Sequence, residues 1–134
     1  MSEKFVGAVA VKAVIKHNDA VLLMQDAYDH KWQFPGGRMH TSEKPAETVR
    51  REVLEELGVE VEPVSVVQAD VFVDAQGESR LVLMYLCRLL GAPGTLRGDN
   101  KEVQDFRWVG LEDVDTLDIW PTYIETIQKV LRSS

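Results

Sequence analysis

The chain has 134 residues, 45% hydrophobic and 28% charged, with a net charge of −7. That is the length and make-up of one soluble globular domain with a full core. An acidic balance of 15 Lys plus Arg against 22 Asp plus Glu works against holding a long nucleic-acid backbone. The single Cys87 rules out an internal disulfide; lying in an apolar run, it reads as a core thiol. The N-terminus lacks a long apolar stretch, so neither a signal peptide nor a membrane span is expected and the cytoplasm is the expected location.

In chain order, Phe5 to Lys16 and Ala20 to Asp26 read as two strands joined by the turn-forming His17-Asn18-Asp19. Trp32 to Pro35 is short and extended, and Pro35 stops it before the pair Gly36-Gly37. Pro45 suits the first turn of a helix and Gly58 its C-terminal stop. Lys44 is a poor cap, which leaves Ser42 to cap an earlier turn. Val64 to Val73 and Arg80 to Leu89 form a hairpin about residues 74–78. Gly91-Ala92-Pro93-Gly94 is a surface loop and Val103 to Val109 a further strand. Pro121 to Leu131 is a helix with Ile124, Ile127 and Leu131 on one side. Strands and two helices in this order imply an α+β fold, one domain over residues 1–134.

The first helix carries the chemistry. At about 100° per residue, Glu52, Glu55 and Glu56 fall within a sector of roughly 100°. Ala46, Val49, Val53, Leu54 and Leu57 take the adjoining stripe and face a core. Like charges three and four residues apart destabilise a helix, and crowded carboxylates raise one another's pKa unless a cation holds them ionised. Oxygen ligands without His or Cys favour a hard divalent ion, so Mg²⁺ is expected, with Mn²⁺ able to substitute.

The window from Gly37 to Val59 resembles the Nudix box, G-x(5)-E-x(7)-R-E-U-x-E-E-x-G-U with U aliphatic. Gly37, Glu43, Arg51, Glu52, Glu55, Glu56 and Gly58 meet every fixed position, and Val53 and Val59 both U positions. The flanks are also similar: an N-terminal strand pair, Trp32 to Gly36 leading in, and Glu102 ahead of Phe106 to Val109. The resemblance implies a Nudix α/β/α sandwich with a mixed β-sheet between helices. It implies hydrolysis of a diphosphate linkage in a nucleoside diphosphate joined to a group X.

It also distributes roles. Glu52, Glu55 and Glu56 match the family's metal ligands, Glu52 being either a ligand or the base that activates water. The Gly36 carbonyl is a further ligand. Gly36 and Gly37 let the backbone approach phosphates, having no Cβ. Arg51 pairs with Glu43 or a neighbouring carboxylate and orients the ligands. Glu43 is either structural or bound to metal through water. Glu102 is either a further metal ligand or base, or an exposed loop carboxylate. Arg38 either reaches a phosphate or is solvated.

Trp120-Pro121 is similar to an element of some oxidised-purine triphosphatases in which the ring stacks on the base, although Thr122 and Tyr123 stand where those enzymes carry acidic groups. Alternatively Pro121 starts the helix, Ile119 and Ile124 staple it, and Trp120 packs. Trp32, Phe34 and Trp108 read as core, with Phe34 or Tyr28 also available to line a pocket. His17, His30 and His40 lack spacing for a metal site or triad and are assigned to surface or turns.

The leading expectation is a Mg²⁺-dependent hydrolase of a nucleoside triphosphate, plain or oxidised, to monophosphate and pyrophosphate. The alternatives are ADP-ribose or nucleotide-sugar cleavage and, below these, an RNA 5′-end hydrolase or a non-catalytic binding domain. The expected partner is a small nucleotide, with no membrane, in a monomer or homodimer.

Overall fold

The structure, a computed structural model, describes residues 3–74, 76–92, 96 and 103–133. β1 (Ala8–His17) and β2 (Ala20–Asp26) form a hairpin whose turn carries Asn18 at φ 54°, a left-handed position that Asn tolerates. Two short strands follow, β3 (Trp32–Gln33) and β4 (Gly36–Arg38), then α1 (Pro45–Leu57). β5 (Val61–Val73) and β6 (Ser79–Leu89) form the expected hairpin, closed by Asp74, whose Oδ1 accepts the N–H groups of Gln76 and Glu78 at 2.9 Å each. β7 (Val103–Val109), a 3-10 turn at Val114–Thr116 and α2 (Pro121–Arg132) complete the order.

The strands run β3-β2-β1-β6-β5, with β4 added to β1 and β7 to β2. β1 and β6 are parallel from Ala8↔Arg80 to Lys16↔Arg88, and the other pairs are antiparallel. The sheet is therefore mixed. β1 pairs with β2 only beside their turn, at Lys16↔Val21 and His17↔Ala20. Further along, its edge takes β4 instead, Lys12 opposite Gly36 and Ala10 opposite Arg38. This wedge brings the glycine pair onto the middle of the sheet.

Alternation along the strands builds a core on each face. Val11, Ala13, Ile15, Leu22, Met24 and Cys87 pack under Val49, Val53 and Leu57 of α1. On the other face Ala10, Val14, Val21, Leu23, Phe34, Val82 and Met84 meet Tyr123, Ile127, Val130 and Leu131 of α2. The result is the α/β/α sandwich.

Four expectations need correction. β5 starts at Val61 rather than Val64, continuing through register shifts at Pro63 and Val66. The extended stretch before the glycines is followed by β4 itself, which includes them. Leu54 does not face the core but is 51% exposed, because the sheet takes the α1 side centred on Val49, Val53 and Leu57. The side chain closing the turn before α1 is that of Glu43, not Ser42: Glu43 Oε1 accepts the His40 N–H at 2.9 Å. Lys44 caps the helix through its backbone, its N–H donating to Glu47 Oε1 at 2.9 Å.

Candidate active site

α1 sets its carboxylates against the turn made by β4. Glu56 is only 6% exposed, and its Oε1 accepts the Gly36 N–H at 2.9 Å. Glu52 lies against Gly37 so closely that a Cβ there would stand 2.5 Å from Glu52 Cδ and 2.6 and 2.7 Å from its oxygens. At Gly36, with φ at 152°, a Cβ would meet the Val11 carbonyl oxygen at 2.1 Å. A side chain at Gly36 is barred by the backbone of β1, whereas one at Gly37 would displace the Glu52 carboxylate.

Arg51 ties the cluster together. Its Nε and Nη2 donate to Glu43 Oε2 and Oε1 at 2.5 and 2.9 Å, the bidentate geometry of a strong pair. Nη1 reaches Glu52 Oε1 at 2.9 Å and Glu55 Oε2 at 3.3 Å, and Nη2 also donates to the Arg38 carbonyl at 3.2 Å. Hydrogen bonds from Arg51, then from the His40 N–H and the Thr48 hydroxyl, hold the Glu43 carboxyl down to about 2. The Arg51 pKa is raised, first by the Glu43 bond. Arg51 thus fixes a turn, a helix and two box carboxylates at once.

Gly37 is also the joint between this cluster and a cavity of about 540 Å³ on the α2 face. Lys12, Gln33, Arg38, Arg80, Phe72 and Trp120 are among its lining residues. Trp120 is 45% exposed, and Lys31, ion-paired to Asp118 at 3.0 Å, holds Nζ 4.7 Å from its ring centroid. The tryptophan is therefore a cavity wall and not a core side chain. Ile119 and Ile124 still share a cluster across the helix start.

Of its two expected places, Phe34 takes the core. It is fully buried, 4.9 Å from the ring of Tyr123, which lines the cavity while Phe34 does not. Tyr28 is exposed and lies off the cavity. Glu102 lies outside the described residues.

Lys12 had no place in the sequence reading. It sits mid-strand with its Nζ 3.3 Å from Gln33 Oε1, while Gln33 Nε2 donates to Asp26 Oδ2 at 3.2 Å. Burial lowers the Lys12 pKa, and attraction to Glu56 and Glu52 opposes the shift. The signal was available: one lysine interrupts the apolar run AVAVKAVI at a position whose neighbours Ala10 and Val14 face the core.

The donor set fits a hard divalent cation. The Glu56 and Glu52 carboxylates adjoin Gly36 and Gly37, which have no side chains of their own, and carboxylate oxygen is the ligand such an ion takes. Among the described residues no three acidic, histidine or cysteine side chains already stand close enough to hold a metal. Glu52 and Glu55 each give an oxygen to Arg51, and Glu56 gives one to Gly36.

Fold, glycine turn and carboxylate helix together define the chain as a member of the Nudix hydrolase family, whose NUDIX domain model matches residues 6–130. Members of the family generally use divalent metal ions and act on small nucleotide substrates. The chain is 31% identical over 118 residues to the nucleoside triphosphatase NudI of an Enterobacter species, covering 79% of this chain and 84% of that one. It is 33% identical over 86 residues to the mouse 8-oxo-dGDP phosphatase NUDT18, a match that covers 62% of this chain but only 25% of that longer protein. Among solved structures, the MutT NUDIX hydrolase from Burkholderia pseudomallei superposes with a TM-score of 0.82 at 23% identity, over 94% of this chain and 99% of that one. Among the described residues no helix is long and apolar enough to cross a membrane.

Proposed function

We propose that this chain is a Mg²⁺-dependent pyrophosphohydrolase that converts a nucleoside triphosphate, plain or oxidised in its base, to the monophosphate and pyrophosphate. The observation that carries this reading is the shared residue Gly37, which abuts Glu52 on one side and lines the Trp120 cavity on the other. A substrate with its base against Trp120 and its phosphates over Gly37 reaches both parts at once. The name of the Enterobacter relative, a nucleoside triphosphatase, supports the triphosphate, and that of the mouse relative, an 8-oxo-dGDP phosphatase, supports an oxidised base although its substrate is a diphosphate.

Glu52, Glu55 and Glu56, with the Gly36 carbonyl, would hold the metal. When bound, Mg²⁺ acidifies a water and neutralises charge on the phosphoryl and leaving oxygens. The chain's own residues do the rest. A box carboxylate, Glu52 or a neighbour, takes the proton of the attacking water as the new P–O bond forms and the bond to the bridging oxygen breaks. Arg51 keeps Glu52 and Glu55 in register with the turn through Glu43 and the Arg38 carbonyl. Arg38, on the cavity wall, reaches the phosphates, and Trp120 offers the exposed part of its ring, which Lys31 does not cover, to the base.

The test is turnover with Mg²⁺ over plain and oxidised nucleoside triphosphates, ADP-ribose, nucleotide sugars and dinucleoside polyphosphates, with products separated. Conversion of one triphosphate class to monophosphate and pyrophosphate is expected. Cleavage of ADP-ribose or a nucleotide sugar instead would keep the chemistry and replace the substrate class. A panel left intact by metal-loaded protein would overturn the reading.

A further inference from the structure

The cavity wall carries three cations against two acids, although the chain as a whole is strongly acidic. Lys12, Arg38 and Arg80 all line it. They stand on three adjacent strands: Lys12 two residues from Ala10 on β1, Arg38 opposite Ala10 on β4, and Arg80 opposite Ala8 on β6. All face the α2 side, and the small, 4% exposed Ala10 forms the floor between them. Among the described residues none of the three has a carboxylate within ion-pair distance. Among the described residues, the neutral Gln33 amide is the hydrogen-bond partner of Lys12. Two acids share the wall, Asp29 accepting the Lys31 N–H and Asp74 the N–H groups of Gln76 and Glu78.

Glu56, Glu52 and Asp26 attract the Lys12 ammonium from beyond ion-pair distance, while Lys12, Arg38 and Arg80 all line the cavity, where an anion from outside can meet them together. Strands lie about 5 Å apart and same-face neighbours on one strand about 7 Å. Cations spread over that patch match several phosphoryl oxygens better than one carboxylate. The patch also adjoins the box through Gly36 and Gly37, Gly36 being the register partner of Lys12.

We propose that Lys12, Arg38 and Arg80 form a cradle over Ala10 that grips the phosphate chain of the substrate, with Lys12 as its innermost member. This deepens the nucleotide reading above and rests on it only for the identity of the rest of the ligand. Charge-assisted hydrogen bonds from Lys12 and Arg80 supply affinity for the polyphosphate without regard to base.

Calorimetry in EDTA, where no turnover occurs, tests this with inorganic pyrophosphate, a nucleoside and its triphosphate as titrants. Lys12→Met and Arg80→Gln are each expected to weaken pyrophosphate and triphosphate binding about tenfold or more. Nucleoside affinity should stay unchanged, and Lys12→Arg should recover most of the loss. Should Lys12→Met fail to fold, Arg80→Gln, away from the strand centre, carries the test. Pyrophosphate affinity within twofold of wild type in the folded variants, or none in the wild type, would overturn the cradle. Lys12-dependent pyrophosphate binding without any nucleotide turnover would sustain the cradle and remove the nucleotide reading. Nucleotide turnover with Lys12- and Arg80-independent binding would do the reverse.

Discussion

Replacing Gly37 with alanine separates folding from catalysis. The new methyl carbon would stand 2.5–2.7 Å from the Glu52 carboxylate, whereas ordinary carbon contacts need about 3.5 Å. The carboxylate must therefore retreat by roughly 0.8–1 Å. That group is the far end of a flexible side chain, so the fold should lose less than about 1 kcal/mol, a fall in Tm of a few degrees at most for a chain of this size. A displacement of that size at a reacting group costs on the order of 100-fold in rate. The assay pairs thermal unfolding with kcat at saturating Mg²⁺. The matched control is Gly58→Ala, at φ 70° with open space around its Cβ position. It should cost about 1–2 kcal/mol through its left-handed backbone and leave kcat alone. If Gly37→Ala kept kcat within twofold, or if both variants lost activity equally, the argument from contact with Glu52 would be wrong.

Further outcomes follow from the same geometry. Glu43→Gln should lower stability at pH 7. The wild-type carboxyl titrates near 2 when folded against an ordinary 4.5, so its contribution is present above about 4.5 and fades as pH falls toward 2. Urea unfolding at pH 7 and pH 3 should show the gap between wild type and variant narrowing in acid; a constant gap would discount the Arg51 pair. Arg51→Lys keeps the charge but loses the fork that spans Glu43, Glu52, Glu55 and the Arg38 carbonyl, so kcat should fall at least tenfold in the same turnover assay. Trp120→Ala should raise KM for the preferred nucleotide about tenfold with little change in Tm, because the ring is half exposed; an unchanged KM would remove Trp120 from base binding. Cys87, buried and pushed up to about 12 by desolvation, should resist a thiol reagent at pH 8 until the chain is unfolded; rapid labelling of native protein would contradict its burial.

Local signals were legible and distant ones were not. Pro45 and Gly58 marked the ends of α1 as the structure has them, since capping and left-handed stops are chosen by the residues themselves. The spacing of Glu52, Glu55 and Glu56 announced one carboxylate side. The helical stripe did not say which edge of it the sheet would take, so Leu54 was placed inward, and the burial of Glu56 under β4 was invisible. That burial depends on Gly36, twenty residues earlier. Strand alternation along β1 was readable, but the parallel partner of β1 is β6, some seventy residues on, and no local pattern encodes that choice. The same distance hid the cavity: Lys12, Arg38 and Arg80 meet only through register. Phe34 illustrates the remaining difficulty, because an aromatic beside a glycine turn suits a pocket wall and a core equally until Tyr123 is found tilted against it.

Central to the proposed function is a divalent ion, held by the box carboxylates beside the glycine turn, that promotes hydrolysis of a nucleotide anhydride. The most direct test is a Mg²⁺ titration of nucleotide turnover for wild type and Glu55→Gln, with melting curves for both. Saturable, Mg²⁺-dependent release of nucleoside monophosphate by wild type, lost at least 100-fold in a variant of equal Tm, is the predicted result. Turnover that persists in Glu55→Gln, or that proceeds in wild type with excess EDTA, would contradict it.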